Sequence, residues 1–160
     1  MMVKLEELCE TVAAYLAPRL KEADLTGEYP AARRGHPLLR PVVAVGVEEI
    51  RLERGGLSQY LGVDEEGNEQ FGQRARLTLR FDILCPAKTG GCHKLFAALC
   101  QHLLLEEGPV QPRGMSCGKL EYDRMADGLH LTGKGTVEAA LVRGGSDGTI
   151  REITIIRRDG

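Results

Sequence analysis

The chain has 160 residues, 42% hydrophobic and 28% charged, and its 21 basic and 23 acidic side chains leave a formal net charge of -2. A chain of this length can bury roughly 70% of the surface its unfolded form exposes, so it reads as one soluble domain spanning 1–160 that needs no disulfide or metal staple. Balanced charge argues against a protein that coats nucleic acid, whose affinity rests on neutralising phosphates with surplus Lys and Arg, and no apolar run approaches the ~20 residues that cross a bilayer.

The N-terminal segment mixes Lys4, Glu6, Glu7 and Glu10 into its first ten residues, which leaves no uninterrupted apolar run of signal-peptide type, and no export signal is expected. Residues 4–17 place Leu5, Leu8, Cys9, Val12, Ala13 and Leu16 on one helical face. Pro18 lacks an amide hydrogen and clashes with the preceding turn, so the helix ends or kinks there, with room for a further turn through Lys21. From Asp24 to Arg40, Gly27, Pro30, Gly35 and Pro37 interrupt any periodicity, and a long connection is expected. Residues 41–53 put Val43, Val45 and Val47 on one face and shift phase at Glu48 and Glu49, after which Ile50 and Leu52 resume, as in a bulged strand.

Residues 54–72 form an excursion far longer than the two to five residues a hairpin needs. In the strand at 73–85, Ala75, Leu77, Leu79, Phe81, Ile83 and Cys85 alternate with Arg74, Arg76, Thr78, Arg80 and Asp82, one side buried and the other wet. Gly90 and Gly91 precede a second amphipathic helix at 92–105, with Cys92, Leu95, Phe96, Leu99, Leu103 and Leu104 along its stripe. Residues 115–125 read as a strand with Leu120 and Tyr122 inward, and Asp127-Gly128 as a tight turn. Residues 129–143 alternate again; Gly133 and Gly135 fall on the inward side, where a missing side chain marks a bend, a bulge or a close-packed helix. The segment 144–148 turns the chain into a last strand beginning at Thr149. Each element has a single apolar face that only another layer can cover, which defines a two-layer α+β domain: a mainly antiparallel β-sheet with two helices packed on one face.

Chemistry-bearing patterns are few. Residues 128–136 resemble a phosphate-binding loop with one residue inserted before the hydroxyl, but such a loop needs a strand before it and a helix beginning at the lysine, whereas strand alternation runs through this segment. Cys92, His93, Cys100 and His102 invite a metal reading, yet the cysteines lie on the apolar stripe and the histidines elsewhere, so no metal is expected. The five cysteines lack CxxC spacing and read as reduced, mostly buried thiols. Adjacent Glu48 and Glu49 share a face only if the bulge turns them together, and cross-strand pairing with Arg74, Arg76 and Arg80 is the simpler use of such acids. No Ser/His/Asp or Cys/His set can be assigned, and enzymatic activity is not expected.

Two features remain as candidate contact residues. Leu57, Tyr60, Leu61 and Val63 are apolar residues on the long excursion, which pack either on their own body or on a partner. Arg74, Arg76 and Arg80 form a stripe that is either a solvated face laced by glutamates or a surface for an acidic partner or nucleic acid.

The order of these elements resembles that of the small minor tail proteins of tailed phages and prophages, specifically the tail terminator or tail completion proteins. The likeness is carried by the N-terminal amphipathic helix, the strand RPVVAVGVEEIRLE, the loop GGLSQYLG, the strand QRARLTLRFDILCP, the helix CHKLFAALCQHLL and the strand GKLEYDR. The resemblance implies a non-enzymatic protein without cofactor. It also implies a ring, commonly of six subunits, that terminates the tail tube and joins it to the head. The implied partners are further copies of the chain, the tail tube protein and the head-tail connector protein, with no membrane contact and no nucleic acid other than DNA passing through the ring's lumen. The place of action would be the virion, after synthesis in a bacterial host's cytoplasm. The alternative reading is a small-ligand-binding or enzymatic α+β domain with its site under the loop 54–72.

Overall fold

The computed structural model describes residues 3–27, 38–52, 60–63, 66–67, 69–125, 127–144 and 149–155. In chain order these form β1 (Val3–Lys4), α1 (Leu5–Leu16), β2 (Asp24–Gly27), β3 (Val42–Leu52), β4 (Tyr60–Val63), β5 (Glu69–Pro86), α2 (Cys92–Cys100) with a π-helical turn (Gln101–Leu105), β6 (Gly114–Cys117), β7 (Glu121–Asp123), β8 (Gly128–Gly144) and β9 (Thr149–Ile155). The strands make one mixed sheet whose principal path runs β1-β9-β8-β5-β3-β2, with β4 added to β5 and β6 and β7 added to β8. Every pairing is antiparallel except β2 with β3. The α+β class with helices on one face is the architecture the hydrophobic periodicity requires.

The spine is the β5–β8 ladder, in register from Gly72 opposite Val142 to Pro86 opposite Gly128. On the inner side of these strands and β3, Val43, Val45, Ala75, Leu77, Leu79, Phe81, Ile83, Leu131, Val137 and Ala139 are buried. Leu8, Val12, Ala13 and Leu16 of α1 and Cys92, Leu95 and Leu99 of α2 close over them. Each large side chain contributes about 1.5–3 kcal/mol of burial, largely offset by ordering the chain. The expected phase shift in β3 is a bulge: Val47 faces Leu79, Glu49 faces Thr78, and Glu48 is the extra residue.

The glycines of β8 are explained by packing. A Cβ on Gly133 would stand 3.0 Å from Phe96 of α2, and one on Gly135 3.4 Å from Pro112, so α2 lies directly on the bare backbone at Gly133 and the segment leading into β6 does so at Gly135. Before α2, Gly90 (φ 62°) and Gly91 (φ 98°) both adopt the left-handed conformation that β-carbon sterics disfavour. α1 ends at Leu16, and the chain continues in a turn closed by Leu20 N–H to Leu16 O at 2.8 Å.

Several expectations are corrected. The connection from Asp24 to Arg40 contains β2, which lies parallel to β3 and ends it as an edge; Leu25 and Thr26 are too short an alternation to read from sequence. The excursion 54–72 is no continuous loop, because Tyr60–Val63 pairs back on Glu69–Phe71 and lengthens β5. The strand expected at 115–125 is two short strands, β6 and β7, separated by residues 118–120. Leu120 packs against the core as expected, but Tyr122 is 56% exposed. The second helix changes to a π turn at Gln101, which seats Leu103 in the core and leaves Leu105 81% exposed. Of the thiols, Cys85 and Cys92 are buried, Cys9 and Cys100 are half-buried and Cys117 is exposed. β8 uses one edge for β5 and shares the other between β6 with β7 and β9, a division that register alone decides. Among the described residues, no helix is long and apolar enough to cross a membrane.

Candidate functional site: a charged depression on the open sheet face

The sheet face opposite the helices is buried at one end, around Val42, Ala44 and Leu84, and becomes polar from Asp82 outward. Period-two alternation places Arg74, Arg76, Thr78, Arg80 and Asp82 of β5 beside His130, Thr132, Lys134, Thr136 and Glu138 of β8. The β3 bulge adds Glu48 to the same face, where its carboxylate reaches Lys134 Nζ at 3.0 Å and Arg80 Nη1 at 3.8 Å. Glu49 sits on this face too, 3.1 Å from Arg51 Nη2. The bulge thus turns both glutamates the same way, and Glu48 takes the cross-strand role expected of it.

Asp82 is the centre of the arrangement. Its Oδ1 lies 2.8 Å from His130 Nε2, and Arg80 Nε donates to its two oxygens at 3.1 and 3.2 Å. Burial pushes the Asp82 carboxyl up, but the hydrogen bonds from His130 and Arg80 and their charges outweigh it and hold the group below its ordinary value. Arg80, Glu48, His130, Thr132 and Lys134 form one wall of a depression of about 440 Å3, and the β6–β7 segment from Ser116 to Glu121 forms the other.

The geometry limits the chemistry. Thr132 Oγ1 is 3.5 Å from His130 Nε2, the same ring nitrogen that meets Asp82. A relay needs the carboxylate on one imidazole nitrogen and the nucleophile on the other, so this trio is not one. Arg80 and Lys134 share Glu48, and Arg80 also holds Asp82, which leaves the basic groups in the wall neutralised by acids from the same sheet. Among the described residues no three His, Cys, Asp or Glu side chains are placed to share a metal ion. Cys92 packs its thiol 3.5 Å from Leu129 O, while His102 pairs with Glu106 at 3.0 Å in a separate cluster at the far end of α2. Residues 128–136 run straight through β8, with no helix at Lys134.

Of the expected contact residues, Arg80 lies in the depression, and Arg74 and Arg76 stand farther along the same face, exposed. Tyr60, Leu61 and Val63 belong to β4, and Leu57 lies outside the described residues. Asp82, His130 and Lys134 were legible as members of a wet face, but their convergence on Arg80 and Glu48 depends on register and on the bulge, which pattern alone does not supply. No protein-family model matches the chain, and no curated protein matches it either.

Proposed function

We propose that the chain is a non-enzymatic structural subunit of a phage or prophage tail, of the tail terminator type, which self-associates into a ring that closes the tail tube and joins it to the head. The observation that carries this reading is the one-sided architecture. Two helices cover one face of the sheet, and most of the other face is left to solvent with Glu48, Arg80, Asp82 and Lys134 tied to one another, which suits contact. Ring formation requires two different surfaces that meet around a closed rotation. The open face and the edge strand β2 offer such surfaces. The partners in this reading are further copies of the chain, the tube protein and the connector protein, and its place is the virion.

Size-exclusion chromatography with light scattering, over a wide concentration range and with or without tail tube protein, tests it. A discrete ring-sized species is expected in one of the two conditions. A chain that stays monomeric at every concentration and ignores the tube protein removes the reading. So does reproducible, saturable thermal stabilisation by one small metabolite accompanied by its turnover, which would assign the depression to a catalyst instead.

A further inference from the structure

We infer that Cys85, near the end of β5, and Cys92, at the start of α2, are a site of covalent modification: the two thiols close into a disulfide at equilibrium with an oxidised small-molecule disulfide, and the bond fastens the first turn of α2 to the sheet. The inference is independent of the ring reading.

The chain reverses between the two cysteines. Gly90 N–H donates to Pro86 O at 3.0 Å, and the left-handed Gly90 and Gly91 then start α2 back over the strand it has just left. Cys85 lies on the inner side of β5 and Cys92 is the first residue of the helix, so both enter the seam between the layers, where they are 0% and 2% exposed. The Cys92 thiol stands 3.5 Å from the Leu129 carbonyl oxygen and 3.7 Å from that of Ile83. Leu129 is the register partner of Cys85, and Ile83 precedes Cys85 on the same side of β5, so the Cys92 sulfur rests against the backbone around Cys85. The Cys85 thiol in turn donates a hydrogen bond to the Cys92 sulfur. Cysteine packs as a small apolar residue, but such packing does not require two sulfurs to touch. Contact between them is the arrangement from which a disulfide forms with the least movement of the backbone.

The same contact divides the roles. Burial raises both thiols, and the hydrogen bond between them adds to the rise at Cys85 while easing it at Cys92. Cys92 is therefore the first of the two to ionise and the attacking sulfur. With oxidised glutathione as the partner, the Cys92 thiolate attacks one of its sulfurs and expels one glutathione thiolate, leaving a mixed disulfide. Cys85 gives up its proton and attacks the Cys92 sulfur, which expels the second glutathione. The two protein thiols lose two protons and two electrons, and one glutathione disulfide becomes two glutathione thiols. Because the folded chain buries both sulfurs, the exchange proceeds as the chain folds or unfolds, and the equilibrium, not the rate, records what the fold favours.

The test refolds the full chain in mixtures of reduced and oxidised glutathione, starting from the reduced and from the oxidised protein, and repeats the equilibration in concentrated urea. After acid quenching and alkylation in denaturant, tryptic mapping without reductant reads the pair directly: cleavage after Lys88 separates residues 81–88 from 89–94, and a Cys85–Cys92 bond holds the two peptides together. That link should be the dominant disulfide of the folded chain. Its equilibrium constant against glutathione should exceed the value in urea by about tenfold or more, the low end of what a disulfide compatible with the native geometry gives. By reciprocity the oxidised chain should resist urea better than the reduced one by the same factor, with an unchanged far-UV circular dichroism spectrum. A constant in the folded chain equal to or below that in urea overturns the inference. So does a different dominant pair such as Cys100 with Cys117, or glutathione held on Cys92 with Cys85 left free. An oxidised chain that unfolds at lower urea than the reduced one overturns it as well, since the bond would then strain the fold.

Discussion

The Tyr15 hydroxyl donates to the main-chain carbonyl of His102 at 3.1 Å, joining α1 to the π turn at the end of α2 across 87 positions of sequence. Arg19 stacks on the Tyr15 ring at 3.8 Å and reaches Glu106 at 3.6 Å, and His102 lies beside the same carboxylate, holding it below its ordinary value. A turn of π helix frees carbonyls from regular pairing, and the tyrosine supplies one of the missing donors. The helical layer is thus tied together as well as packed down.

Tyr15→Phe keeps the ring and its contact with Arg19 but leaves the His102 carbonyl without this donor. A loss of about 1 kcal/mol is expected, read as a lower urea midpoint at unchanged slope. An unchanged midpoint would mean that water replaces the hydroxyl at no cost.

Asp82→Asn removes the charge that His130 and Arg80 share. Stability at pH 7 should fall by about 1 kcal/mol or more, as for a hydrogen-bonded charged group. Because the folded carboxyl titrates below its unfolded value of about 3.9, its contribution is fully present above that value and is lost as the pH drops through the lower, folded value. The wild type should therefore lose stability on acidification more steeply than Asp82→Asn, and urea titrations at pH 7 and pH 3 read the difference. Parallel acid limbs would show that the carboxylate is not preferentially stabilised by folding.

The two glycines that frame the loop-like motif of β8 predict different costs on substitution by alanine. At Gly133 the added methyl meets the Phe96 ring at 3.0 Å, which can yield, and the expected cost is about 1–3 kcal/mol. Combining Gly133→Ala with Phe96→Leu should cost less than the two changes summed. At Gly128 the methyl would stand 2.7 Å from the Cys85 carbonyl oxygen, main chain that cannot rotate away, so Gly128→Ala should be the more damaging. Thermal unfolding of the four variants tests the order, and equal costs at the two positions would contradict the packing account.

Thiol reactivity should follow position. Burial pushes the Cys85 thiol up to about 12, with Cys92 beside it, and burial likewise raises Cys92 and Cys100. Cys117 in β6 is exposed to solvent. Iodoacetamide at pH 8 should label Cys117 first and leave Cys85 and Cys92 unmodified until the protein unfolds, since the thiolate is the nucleophile. Mass spectrometry of peptides from a timed reaction gives the sequence of labelling, and early modification of Cys85 would refute the assigned core.

The amino-acid sequence by itself determined the layers: the apolar stripes of 4–17 and 92–105, the alternation of 73–85 and 129–143 and the phase shift at Glu48 require two helices against one face of a bulged sheet, because periodicity dictates which side each element must bury. It also placed Arg74, Arg76 and Arg80 on the wet side. Only the tertiary structure decided which groups meet there. Asp82 finds His130 through the β5–β8 register, Glu48 reaches Lys134 because a bulge turns it, and β2 and β4 exist because neighbouring strands offer them partners that four-residue segments cannot announce alone. Side-chain period is local, set by the geometry of one strand or helix, whereas strand register and strand order depend on contacts far apart in sequence, and the charged depression is made by the latter.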